Sequence, residues 1–198
     1  MEQVLTALRK LGREHLVLLF RINLRRALRI TTAPGEWGTW TGLGSGAQLA
    51  ESVSDLGDLA RQTPTPEALA RFIAATNAVF EAHDEAPLDS GFWPFNACRI
   101  ANMCALALEV GTSHSEDDQD IDDAPHAYAG DQVEEFFEFA DQVDNEAKQS
   151  TFTDLERAFW MNAIEQLATI GEAGVPSLAT AGDQLADQYL VTLRRNSA

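Results

Sequence analysis

Residues Glu14 to Ile30, EHLVLLFRINLRRALRI, decide how the rest of the chain is read. At about 100° per residue, Leu16, Leu19, Phe20, Asn23 and Ala27 share one face, while Arg21, Arg25 and Arg29 stack on the far side. That is the pattern of an amphipathic α-helix, and the same period recurs almost throughout the sequence. No series of β-branched alternating runs separated by hairpin turns interrupts it. The predicted fold class is all-α, a single-domain irregular bundle of about seven helices over residues 1–198.

On the N-terminal side, residues 2–11 read as a short helix loosened at Gly12. On the other side, Thr31 to Gly46 holds Pro34 and repeated glycines that no helix would tolerate, and its Trp37 and Trp40 are large enough to be expected against the bundle. A helix is expected from Ser45–Gln48 to about Arg61. Thr65 then caps a new helix with Pro66 at its first position. Leu69, Phe72, Ile73, Thr76, Val79 and Phe80 form its buried face. Phe92 to Glu109 is apolar nearly all round, as a central helix should be.

Residues 112–129 read as an exposed acidic loop. Val133, Phe136, Phe137, Ala140 and Val143 then mark a helix whose solvent face carries Glu134, Glu135, Glu138, Asp141 and Asp144. Thr151 or Thr153 is expected to cap the next helix, with Leu155, Phe159, Ala163, Leu167 and Ile170 inward, and Gly171, Gly174 and Pro176 end it. A last helix through Leu178, Leu185, Tyr189 and Leu193 finishes on Arg194 and Arg195, cations suited to a helix C-terminus.

The formal charge of −17 is unevenly distributed. Arg9, Lys10, Arg13, Arg21, Arg25, Arg26 and Arg29 face only Glu2 and Glu14 within residues 1–30, a local +5 that leaves −22 on the remainder. From Glu116 to Glu146 there are 13 carboxylates and no Lys or Arg. Such a balance argues against nucleic acid or an anionic membrane as partner. The arginine row is expected to pair with the protein's own acidic helix or with an acidic partner. Cys98 and Cys104 lie in an apolar run about 9 Å apart on a helix, too far for a bridge. Together with the absence of a secretory pattern or a membrane span, this suggests a cytoplasmic protein.

Few constellations suggest chemistry. The Gly-rich turn Thr41 to Gly46 precedes a helix, as an anion cradle would, but lacks the strand before it and the Lys-Ser/Thr pair after it. Asp118, Asp120 and Asp122 start like a calcium loop, but Asp123 stands where Gly is needed and Ala129 where a bidentate Glu is needed. His83 has no metal-site spacing, and the four histidines read as structurally ordinary. Asn96, Arg99 and Asn102 fall within an arc of about 120° on the apolar helix. They are either a satisfied hydrogen-bond network or the lining of a pocket for a small anion. No catalytic constellation, metal set or cofactor motif stands out.

His15-Leu-Val-Leu-Leu-Phe20, the Thr41 to Gly46 turn leading to Asp55-Leu56, Ala86-Pro-Leu-Asp89, and Trp93-Pro-Phe-Asn-Ala-Cys98 occur in an order and spacing that resembles the YjaG-like family of bacterial proteins of unknown function, over roughly residues 1–110. The family often carries Asp before Ala-Cys where this chain has Asn96. The resemblance implies a helical bundle and no particular activity.

The function expected from these features is a non-enzymatic interaction module, immunity-like or antitoxin-like. Its acidic face, formed by Glu134, Glu135, Glu138, Asp141 and Asp144, binds a basic protein partner. The alternative is a small-molecule or divalent-metal protein using a pocket near Arg99, and a homodimer through the Phe-rich helices is a further expectation.

Overall fold

The helix read from Glu14 to Ile30 runs from Arg13 to Thr31 (α2) and lies at the centre of the bundle. The computed structural model describes residues 1–32, 46–85, 93–113 and 124–196. Besides α2 these contain α1 (Glu2–Leu8), α3 (Gly46–Asp55), α4 (Pro66–Glu85), α5 (Trp93–Thr112), α6 (Ala124–Ala147), α7 (Phe152–Ile170), a 3₁₀ turn (Gly171–Gly174) and α8 (Val175–Asn196). No strand occurs among the described residues, and the protein is an all-α bundle. Trp37, Trp40, residues 41–45, the 86–92 approach, residues 114–123 and the His83 side chain lie outside the described residues.

The apolar face of α2 packs most extensively on α5, and its opposite side on α8. Small residues make the first contact close: Ala97, Ala101 and Ala105 of α5 are buried, and a Cβ on Gly111 would come within 2.9 Å of Val17. Around this pair, α4 and α6 flank α5, α3 leans on α4, and α7 joins α6 to α8. The eight helices among the described residues all contribute to one continuous core, from Val4 through Leu49 and Phe136 to Leu193.

Helix ends are set by specific side chains. The Ala68 N–H donates to Thr65 Oγ1 at 3.3 Å, opening α4 as the sequence indicates. Arg13 donates to the carbonyls of Gly111, at 3.0 Å, of Val110, at 3.1 Å, and of Ser113, satisfying the free end of α5 with a cation. α3 stops at Asp55 rather than Arg61, because Gly57 turns left-handed at φ +70° and sends Leu56 and Leu59 into the core.

Three other expectations are corrected. α6 begins at Ala124, inside the stretch read as loop, because Pro125 and Ala129 are buried against the core. Ile170 is 52% exposed at the end of α7, beside the turn Gly171–Gly174 that leads into α8. Thr151 occupies the N-cap position of α7 as expected, but neither its side chain nor that of Thr153 makes the capping hydrogen bond. Asp144 supplies the acceptor instead: Oδ1 accepts from the Thr151 and Phe152 N–H groups at 2.9 Å, and Oδ2 from the Thr153 N–H at 3.0 Å.

Candidate interaction surface

Asp131, Glu134, Glu138 and Asp141 are exposed on α6, spaced three, four and three residues apart. That spacing keeps them on one line about 15 Å long. Among the described residues, Asp131, Glu134 and Asp141 form no ion pair, and Glu138 is only within 4.0 Å of Arg99. Asp141 accepts a hydrogen bond from Asn145 one turn on, at 3.0 Å.

Two of the five carboxylates expected on this face do not stand free. Glu135 is drawn against α5 by Arg99, with N–O at 2.5 Å. Asp144 is buried as the cap of α7, which corrects its assignment to the solvent face. Burial alone would raise the Asp144 carboxyl. The N–H groups of Phe152, Thr153 and Thr151 and the Thr153 hydroxyl outweigh it and hold the pKa below the usual carboxylate range.

The polar stripe of α5 divides between two neighbours. Asn96 donates to Gln142 of α6 at 2.8 Å and Arg99 pairs with Glu135, whereas Asn102 donates to Thr76 of α4 at 2.5 Å. Each side chain has a partner, which is the network reading of the stripe rather than the pocket reading. Three cavities among the described residues lie between α3 and α4 and along α2 and α8.

An ionic cluster that sequence reasoning missed lies at the centre of the bundle. Arg26 and Glu156 are both fully buried, with N–O distances of 2.8 and 3.0 Å. Tyr189 donates to Glu156 Oε1 at 2.9 Å, and Arg26 also approaches Asn23 Oδ1 at 3.5 Å. The Asn23 amide in turn donates to Gln132 Oε1 at 2.9 Å. The guanidinium lies between the rings of Phe136 and Phe159, 3.8 and 4.2 Å from their centroids. Burial pushes the Glu156 carboxyl up, opposed by Arg26, Tyr189 and Trp160. Trp160 Nε1 has no partner at hydrogen-bond geometry, so its effect is that of a dipole at longer range. The signal in the sequence is faint: Glu156 lies one residue after Leu155 on the inward side of α7, and Arg26 sits among three other arginines.

The outer arginines of α2 pair with α8, not with the acidic α6. Arg25 grips Asp183 through two bonds of 2.8 and 3.1 Å, and Arg29 grips Asp187 through two of 2.7 and 2.8 Å. These pairs join residues four apart on both helices in the same order, so α2 and α8 run in the same direction along this seam.

Cys98 and Cys104 are buried free thiols, and burial pushes Cys98 up to about 12. Among the described residues no three His, Cys, Asp or Glu side chains are grouped as metal ligands, and no helix is long and apolar enough to cross a membrane. No family model, curated protein or solved structure matches the chain, which leaves the resemblance to the YjaG-like family resting on the residues quoted for it.

Proposed function

We propose that the protein is a non-enzymatic interaction module that binds a basic protein partner through the outer row of α6. The observation that carries this reading is the contrast in pairing. Asp58, Asp183, Asp187, Glu135 and Glu156 all lie within 3.2 Å of an arginine, while Asp131, Glu134 and Asp141 form no ion pair among the described residues. A row of unneutralised carboxylates on a rigid helix raises the rate of encounter with a cationic surface. An immunity-like or antitoxin-like inhibitor works in this way, and a cytoplasmic setting accords with the two free thiols.

The test compares the wild-type protein with an E134Q/E138Q/D141N variant as bait. The expected result is a basic partner that is captured at low salt, released at high salt and lost from the variant. Equal capture by both baits, or capture insensitive to salt, would overturn the reading.

A further inference from the structure

Of the five arginines of α2, Arg13 is occupied by the carbonyls at the end of α5, and three have a carboxylate oxygen within 2.8 Å: Arg25 with Asp183, Arg26 with Glu156 and Arg29 with Asp187. Arg21 does not. Its side chain is 3% exposed, and its nearest carboxylate oxygen among the described residues is that of Glu172 at 3.7 Å, a side chain itself 73% exposed. One Nη donates to Thr63 Oγ1 across 3.4 Å, and the buried Nε has no partner. A guanidinium carries five donors, and burying it is costly unless acceptors meet them.

Neighbouring charges do not supply the missing anion. Asp58 is taken by Arg25 and Arg61, Asp183 by Arg25 and Arg29, and Asp187 by Arg29. Among the described residues Arg21 is therefore the surplus cation of this side of α2, answered only from a distance by Glu172.

A cleft of about 790 Å³ opens one helical turn along α2, lined by Arg25, Gly57, Asp58, Arg61, Pro176 and Thr180. Thr63 continues the wall that carries Arg61, and Glu172 lies just before the wall that begins at Pro176. Arg21, Thr63 and Glu172 are not in the lining: Arg21 sits one turn of α2 before Arg25, between Thr63 at 3.4 Å and Glu172 at 3.7 Å, so the space over its guanidinium adjoins this end of the cleft. The Nε and the Nη facing Glu172 form the edge that binds oxyanions through two parallel bonds.

We propose that the space between Thr63 and Glu172, next to this end of the cleft, is a binding site for a small oxyanion, the phosphate or carboxylate group of a small molecule. Arg21 is its fixed charge, Thr63 and Arg61 are additional donors, and Glu172 is the exposed carboxylate that swings aside as the anion enters. The site is separate from the α6 row, and neither reading depends on the other.

Inorganic phosphate, and acetate in a parallel series, is titrated against the full chain at constant ionic strength, with chloride as the balancing ion and the melting temperature as readout. The expected result is a saturable rise in wild type, lost in R21Q and reached at severalfold lower concentration in E172Q, where the competing carboxylate is gone. R29Q, on the same helix and paired with Asp187, keeps the response. A larger response to phosphate than to acetate assigns the site to phosphate compounds, and the reverse assigns it to carboxylates. The proposal is overturned if neither anion acts beyond chloride, if E172Q binds no more tightly than wild type, or if R29Q abolishes the response as R21Q does. Glu172 is at the surface, so the E172Q comparison stands even where R21Q fails to fold.

Discussion

The arginines of α2 and the carboxylates of α6 are both helical rows of one charge, and they end in opposite situations. Arg25 and Arg29 meet Asp183 and Asp187 on α8, and Arg26 meets Glu156 in the core. Asp131, Glu134 and Asp141 meet no cation among the described residues, although the sequence spaces them just as regularly. A charged row on a helix wheel thus has two meanings, a seam inside the fold or a face turned outward. Which one holds depends on the helix packed across from it.

Breaking the inner end of the arginine row should have the largest effect. Glu156→Ala leaves a buried guanidinium between two rings without its carboxylate, and a loss of about 3–5 kcal/mol is expected in urea unfolding. Replacing both partners, as in R26M/E156L, should recover most of that loss, since the desolvation cost of both charges disappears with them. A double variant no more stable than E156A would show that the Arg26 stem and its ring contacts, rather than the charge, carry the effect.

Asp144 tests the α6 row from within, as the one member of the expected acidic face that the fold has buried. Asp144→Ala strips three N–H groups of their acceptor at the start of α7, at an expected cost of about 1–3 kcal/mol. The folded carboxyl titrates below its ordinary value of 3.8, so its contribution is complete above that pH and disappears as pH falls through the lower folded value. The stability gap between wild type and Asp144→Asn should therefore be widest at neutral pH and narrow below about pH 4. A gap that widens on acidification would contradict the cap.

The outer seam should matter less. Asp187→Asn removes the partner of a half-exposed Arg29, and about 0.2–1 kcal/mol is expected, decreasing with added salt. Least of all, the E134Q/E138Q/D141N variant should change folding stability by no more than about 0.5 kcal/mol. A loss as large as that of Asp187→Asn would mean that the α6 row is a structural element and would remove the contrast between the two regions.

Much of the architecture was legible residue by residue. Leu16, Leu19, Phe20, Asn23 and Ala27 do share a buried face, the Thr65–Pro66 start of α4 is where the capping chemistry places it, and the nearly uniform apolarity of α5 matches its central position. The candidate site was legible only in part. Glu134, Glu138 and Asp141 are exposed as the helical period requires, but Asp144 obeys the same period and is buried. Its carboxylate is claimed by backbone N–H groups seven to nine residues later, a contact that no local pattern encodes. Asn96, Arg99 and Asn102 share an arc in sequence and separate in space, because α6 and α4 divide that arc between them.

By itself the sequence determines where helices form and which side of each is apolar, because hydrophobic burial repeats with the period of the helix and needs no knowledge of the neighbour. It also determines the lopsided charge, with a basic start and an acidic flank. Only the tertiary structure decides which charges cancel. Coulombic and hydrogen-bond partners act over a few ångströms, and pairs such as Arg26 with Glu156, 130 residues apart, come together only when the bundle closes. The same short range leaves Arg21 without a carboxylate at bonding distance among the described residues and the outer row of α6 facing outward.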